Sequence, residues 1–328
     1  MSENKPAIKK TTIGGQALIE GIMMVGPTRS SIAVRKGDGT IHVEEVAQSE
    51  RVTFFEKVPF IRGCIRFYKM LVKGTGALMR SADISEEGAP KEETPEEGKK
   101  ESALDKYLSE HYNVLITLSA VLGILISVGL FILLPWLITF IATKFIPQDI
   151  LAATWMQVVL NLAEGVLRLI IFYGYLKFSA RIDGIDRVWR YHGAEHKTIA
   201  CYEAGEPLTV ENIKKYTRFH PRCGTSFMFL VLAVSILIYT VAELIIGESG
   251  ALIHIATRLI FIPIICGISF EILRFVGRHD DNGFCKFLAK PGLWLQKTTT
   301  SEPDDAIIEV AIAAMQAVIP EDAESDVW

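Results

Sequence analysis

The chain has 328 residues, half of them hydrophobic, and a formal net charge of −4. That length permits more than one soluble domain, but the apolar residues are bunched into long blocks, which points to a membrane protein. A mild negative charge argues against a nucleic-acid binder, and the lipid bilayer is the expected partner.

Met1 to Pro6 lead into Gly14-Gly15-Gln16 without an apolar stretch, so no cleavable signal peptide is expected. Residues 11–85 read as a cytoplasmic N-terminal α/β segment. Ser31 to Arg35 and Thr40 to Val46 alternate apolar and polar around Gly37-Asp38-Gly39, a hairpin signal. Gly14, Gly15 and Gly21 read as turn glycines, with close approach to a ligand as the alternative. Residues 59–80 predict an amphipathic helix, because Arg62, Arg66, Lys69 and Lys73 form one cationic stripe beside Ile61, Ile65, Phe67, Met70 and Leu71. Such a helix either lies among lipid headgroups or packs in a soluble unit.

Residues 86–111 read as a solvated acidic linker, since 86–101 alone hold seven Glu and no large apolar residue. A four-helix membrane domain follows over 112–278, with spans near 113–142, 153–177, 225–246 and 252–275. No charge occurs from Tyr112 to Thr143, more than the roughly 20 residues a bilayer core requires. Pro135 and Pro263 are expected to kink the first and fourth spans. Residues 279–328 form a cytoplasmic tail, with an amphipathic docking helix over 304–319 that begins among Glu302, Asp304 and Asp305. The fold class is therefore mainly α, a polytopic membrane protein with a helical middle loop and a C-terminal helix.

Within the spans, Glu164 and Arg168 stand four residues apart and are expected to pair on one helix. Glu243 and Arg258 lie near the outer ends of adjacent spans and are expected to pair between helices. These charges read as register-setting ion pairs, with a polar pathway as the functional alternative. His42, His111 and His254 are isolated and read as structural.

The middle loop, 178–224, carries the chemistry. Asp186 to Glu203 reads as one helix, with a second from Thr209 to Arg218. His192 and His196 are four residues apart, so their rings share a helix face and can grip one metal ion. Glu195 between them completes His-x-x-Glu-His, a pattern in which Glu serves one class of zinc peptidases as general base. His220 and Cys223, flanked by Pro221 and Gly224, can turn toward the same point, and Glu203 lies on the His196 stripe. The candidate ligands are thus His192, His196, His220, Cys223 and Glu203, and a thiolate in the set favours zinc. Four donors would close a structural site, whereas three donors and a water would make a catalytic one with Glu195 or Glu203 as base. The five cysteines form no Cys-x-x-Cys pair and their number is odd, which fits reduced thiols.

Gly14-Gly-Gln-Ala-Leu-Ile-Glu-Gly-Ile-Met-Met, Tyr191-His-Gly-Ala-Glu-His-Lys-Thr, Cys201-Tyr-Glu and His220-Pro-Arg-Cys-Gly-Thr-Ser-Phe resemble the YqhQ-like family of bacterial membrane proteins. Pro291-Gly-Leu-Trp-Leu-Gln-Lys and Glu302-Pro-Asp-Asp extend the resemblance over nearly the whole chain outside the acidic linker. It implies a metal-dependent enzyme but supplies no reaction. Three readings follow. The first is a metal-dependent hydrolase, with Glu195 as base and Arg222 or Lys197 as anion contact. The second is a zinc-stabilised scaffold or assembly factor for a membrane-protein partner. The third is a transporter or channel that four spans per chain would oblige to form a homo-oligomer.

Lys and Arg set the expected orientation. Residues 177–225 hold nine of them, against one in the short connections 143–152 and 248–252 together. Cytoplasmic loops carry that excess, so both termini and the middle loop are expected inside the cell. In a cysteine-free background, Gly205→Cys should react with an impermeant thiol reagent only after the membrane is opened. Labelling at that position in intact cells would reverse the orientation.

Overall fold

The computed structural model describes residues 10–46, 54–88, 112–247, 250–279, 281–321 and 326. Most of the expected acidic linker lies outside them. They divide into two compact units that do not follow chain order: residues 1–89, 175–234 and 263–328 form one, and 90–174 with 235–262 form the other.

The first unit is built on a sheet. Strands β1 (Gly14–Leu18), β2 (Gly21–Val25), β3 (Ser30–Arg35) and β4 (Ile41–Val46) pair antiparallel in chain order. The expected hairpin is β3–β4, and its turn is held by Asp38, whose carboxylate accepts the Thr40 N–H at 2.8 Å, with Gly39 at φ 86°. The strands β1 and β2 are a correction, since Gly14, Gly15 and Gly21 lie within them rather than at turns. Glu20, at φ 50°, takes the turn conformation between them.

Side chains alternate across the sheet with period two. Leu18, Met23, Ile32 and Val34 face helix α1 (Ile61–Glu86), packing with Ala77 and Ile84. Ile22, Met24 and Ala33 face the other way, against Tyr191 and Ala194 of α6 (Ile185–Glu203) and Ile307, Ala311 and Met315 of α12 (Asp305–Gln316). With both faces covered, Gly21 to Met24 are all buried. The expected C-terminal helix therefore docks on the sheet, capped by Asp304, whose carboxylate accepts the Ile307 N–H at 2.9 Å.

Helix α1 packs rather than standing free. Its second half meets the sheet where Ser81 Oγ accepts the Ile19 N–H at 3.2 Å. In its first half Gly63 lies against Phe270, Arg62 pairs with Glu271, and Lys69 bonds Glu56 at 2.8 Å. The short α7 (Val210–Lys214) is capped by Thr209 and ends before the expected Arg218. Helix α11 (Gly283–Thr299) fills a stretch that carried no expectation of structure.

Four helical segments are long and apolar enough to cross a membrane: Val121–Thr143, Thr154–Ser179, Gly224–Ile246 and Leu252–Arg278. Together they make this a multi-pass membrane protein. They comprise α2 (Tyr112–Val128) with α3 (Leu134–Thr143), α5 (Thr154–Ser179), α8 (Gly224–Ile246), and α9 (Ala251–Ile260) with α10 (Ile262–Arg278); the brief α4 (Gln148–Leu151) links the first two spans. Leu122, Leu125, Ile245 and Leu252 are exposed on their surfaces, as lipid-facing side chains are.

In the second unit these helices bury a charge network. Glu164 Oε1 accepts from Arg168 at 2.6 Å and from Arg258 at 2.8 Å, and Arg258 also donates to Glu243 at 2.7 Å. His254, read above as isolated, joins it, with Arg258 Nε 3.3 Å from its Nε2. The Tyr239 ring lies under both guanidiniums, 4.1 Å from Arg258 and 5.5 Å from Arg168. Proline explains one further contact. Pro135 has no N–H to give the carbonyl four residues back, the helix loosens into a π turn over Gly129–Leu133, and Arg168 Nε donates to that Phe131 carbonyl at 2.8 Å.

The tightest approach in the first unit is at Gly193. A Cβ there would come within 2.1 Å of the Ser301 carbonyl, in a segment fixed to α6 by Ser301 N–H donating to Trp189 O at 2.9 Å. Gly193→Ala should therefore destabilise the protein by about 1–3 kcal/mol, the usual cost of overpacking. Gly174→Ala, with nothing within 4 Å of the new methyl, should be neutral or slightly stabilising. Thermal unfolding of both variants in detergent measures the difference, and equal midpoints would refute the crowding at Gly193.

Candidate metal centre

Three pieces of the first unit converge: α6, the turn Arg218–Cys223, and the end of α11. Helical spacing brings the His192 and His196 rings together edge to face, with centroids 4.4 Å apart. The turn is clamped by Gln296 of α11, a fully buried side chain. Its Oε1 accepts the His220 N–H at 2.8 Å, and its Nε2 donates to His220 O at 2.7 Å and Ser226 Oγ at 3.1 Å. This brings Cys223 Sγ to 3.1 Å from His192 Nε2.

One ligand atom each from His192, His196 and Cys223 lies within 4.8 Å of the others. Both imidazoles are fixed from behind. His192 Nδ1 is 2.7 Å from the Thr299 carbonyl, and His196 Nδ1 is 2.5 Å from that of Arg218. A carbonyl can only accept, so each Nδ1 carries a proton and Nε2 is the atom left for the cluster. Metal-binding histidines commonly give their other ring N–H to a main-chain carbonyl in this way. His196 Nε2 and Glu195 Oε2 are buried with no hydrogen-bond partner in the protein, which fits a cluster meant to receive something.

The electrostatics agree. Burial pushes the Cys223 thiol up, but the neighbouring His192 and His196 outweigh it and hold it well below its ordinary value. Burial likewise pulls His192 down, yet the Cys223 thiolate lifts it to about 9. Without a metal the two make a thiolate–imidazolium pair. A thiolate is the form a metal takes, while His192 would have to release its proton to bind one. Burial raises the Glu195 carboxyl, opposed by His192 and His196.

The other sequence candidates stand apart from this trio. His220 is beside His196, with ring centroids 5.5 Å apart, but its Nε2 receives a hydrogen bond from Arg222 at 3.1 Å. Burial, then His196 and Arg222, hold His220 well below its ordinary pKa. Glu203 pairs with Arg222 and accepts the Thr11 N–H at 2.8 Å, so it lies outside the donor group. Lys197, expected as an anion contact, instead bonds Glu302 at 2.6 Å. Glu164, Glu243 and His254 also bring ligand atoms together, but Arg168 and Arg258 already occupy those carboxylates.

Gly15, Gln296 and Thr299 are the site residues that spacing did not disclose. A Cβ on Gly15 would lie 3.0 Å from the Glu195 side chain. The glycine pair at 14 and 15 was the available signal, since it marks where backbone approaches closely.

The comparisons with known proteins agree in extent. The family described as "Protein of unknown function (DUF1385)" matches residues 58–321. "Uncharacterized protein YqhQ" of Bacillus subtilis (strain 168) is 34% identical over 316 residues, which cover 95% of this chain and 94% of that protein. No solved structure matches. With its histidine–cysteine cluster inside the matched region and its length shared almost completely, the chain belongs to the DUF1385 family.

Proposed function

We propose that this protein is a membrane-embedded, metal-dependent hydrolase, with zinc held by His192, His196 and Cys223 at the cytoplasmic face. The observation that carries the reading is the pair of Nδ1 bonds to main-chain carbonyls, which leave two Nε2 atoms beside a thiolate. Three protein donors leave one tetrahedral position open, the arrangement of catalytic rather than structural zinc. Bound there, zinc would supply Lewis acidity and lower the pKa of a water to about 7.

The chain's own residues supply the rest. Glu195 lines the same cavity as His196 and Cys223, and one of its oxygens has no protein partner. Its raised pKa suits a group that takes a proton from water and returns it. In the hydrolysis, water oxygen bonds to the acyl or phosphoryl centre and the bond to the leaving group breaks. Glu195 carries the water's proton to that group. The cytoplasmic placement rests on the nine Lys and Arg of 177–225.

A closed structural site is the second reading, favoured by the nearness of His220 to His196. The Arg222 bond to His220 Nε2 opposes it. Metal analysis of purified variants separates the two. Glu195→Gln should keep about one equivalent of zinc and normal folding while losing cellular function, because the amide keeps the shape and loses the basicity. His192→Ala should lose both metal and function. Full function in Glu195→Gln beside failure in His192→Ala would assign the metal a structural task.

A further inference from the structure

The cavity beside the donors has a volume of about 240 Å³ and two kinds of wall. Glu195, His196, His220 and Cys223 furnish the polar one. Phe67, Met70, Phe227, Phe270 and Leu273 furnish the other. The last three belong to membrane-crossing segments: Phe227 is in the first turn of Gly224–Ile246, and Phe270 and Leu273 are near the end of Leu252–Arg278. Part of the apolar wall is thus made by the ends of spans, the depth at which acyl chains meet headgroups, and Phe67 and Met70 of α1 complete it. An acyl chain would bury against such a wall.

The charge at this cavity has a sign. Arg66 lines it, with its guanidinium 5.3 Å from the Phe270 ring centroid. Its neighbours on the α1 stripe have carboxylates, Glu271 for Arg62 and Glu56 for Lys69. Among the described residues Arg66 has no carboxylate within salt-bridge distance. Arg222, the other cation of the lining, is turned to Glu203.

We propose that the substrate is an anionic membrane lipid, its head passing Arg66 to reach the His–Cys cluster and its chain lying against Phe67, Met70, Phe227, Phe270 and Leu273. This rests on the hydrolase reading of the same centre and adds the substrate class. Arg66 positions the head and takes no part in proton transfer. Its exposure on α1 makes it replaceable without unfolding the unit.

The test uses the full chain in phosphatidylcholine nanodiscs containing trace phosphatidic acid with a diazirine on its acyl chain. Crosslinked peptides are then mapped by mass spectrometry. Residues 63–70 and 267–273 should be labelled about tenfold more by this probe than by the matching phosphatidylcholine probe. Arg66→Glu should abolish most of that preference with metal content unchanged, and Leu273→Trp should reduce labelling by both probes. Equal labelling by the two probes would overturn the anionic class. Labelling confined to the outer faces of the spans would overturn a lipid in the cavity, as would displacement by a soluble acidic peptide. Those failures leave the metal content and the Glu195→Gln comparison untouched. A purified protein without metal would instead sink the hydrolase reading and leave the lipid labelling standing.

Discussion

Two hydrogen bonds, from imidazole Nδ1–H groups to the carbonyls of Thr299 and Arg218, are the constraint on which the centre depends. Thr299 is the last residue of α11, so its carbonyl has no helical donor of its own, and His192 supplies one. Each bond fixes both a tautomer and a ring plane. The rest of the first unit serves to keep those acceptors in place. Gln296 ties the turn to α11, the Ser301–Trp189 bond ties the start of the following segment to α6, and Gly193 lets that segment pass at backbone distance. The docking of α6 and α12 on one sheet face then buries the assembly and supplies its hydrophobic stabilisation.

Local periodicity and spacing made part of this legible in the sequence. The i, i+4 histidines, the long apolar spans and the β3–β4 hairpin are all short-range patterns, and the elements they imply are present. What stayed hidden was long-range or lacked a side chain. Strand β1 opens on two glycines, the second of which gives room to the Glu195 side chain, and so leaves no apolar alternation to read. Gln296 and Thr299 are 76 and 107 residues from the histidines they bond, and nothing in their types announces the task. The grouping of 1–89, 175–234 and 263–328 into one unit interleaves the chain with its spans, which no composition boundary marks.

Buried charge in the second unit follows a different logic. Two arginines face Glu164 and Glu243, so the formal charges cancel, and the cost of taking ions from water is offset by hydrogen bonds and by the Tyr239 ring. Pro135 leaves the Phe131 carbonyl without its helical donor, and Arg168 satisfies it. One proline in α3 thereby accounts for both the π turn and an arginine contact that i, i+4 pairing alone did not anticipate. A network with its carboxylates so occupied sets helix register better than it holds a cation.

The same economy of partners divides the loop motif into two groups. Glu203 accepts from Arg222 and from the Thr11 N–H, and Arg222 in turn donates to His220 Nε2. This chain occupies the carboxylate and the imidazole that the sequence offered as fourth and fifth ligands. Burial, ahead of its charged neighbours, holds His220 well below its ordinary pKa, and its ring lines the cavity. His192, His196 and Cys223 are left with their donor atoms directed at one another and Glu195 beside them, one oxygen bonded to nothing in the protein. A site meant only to hold the loop would gain from recruiting His220 and closing the tetrahedron. Arg222 keeps that ring engaged, which leaves three donors beside Glu195.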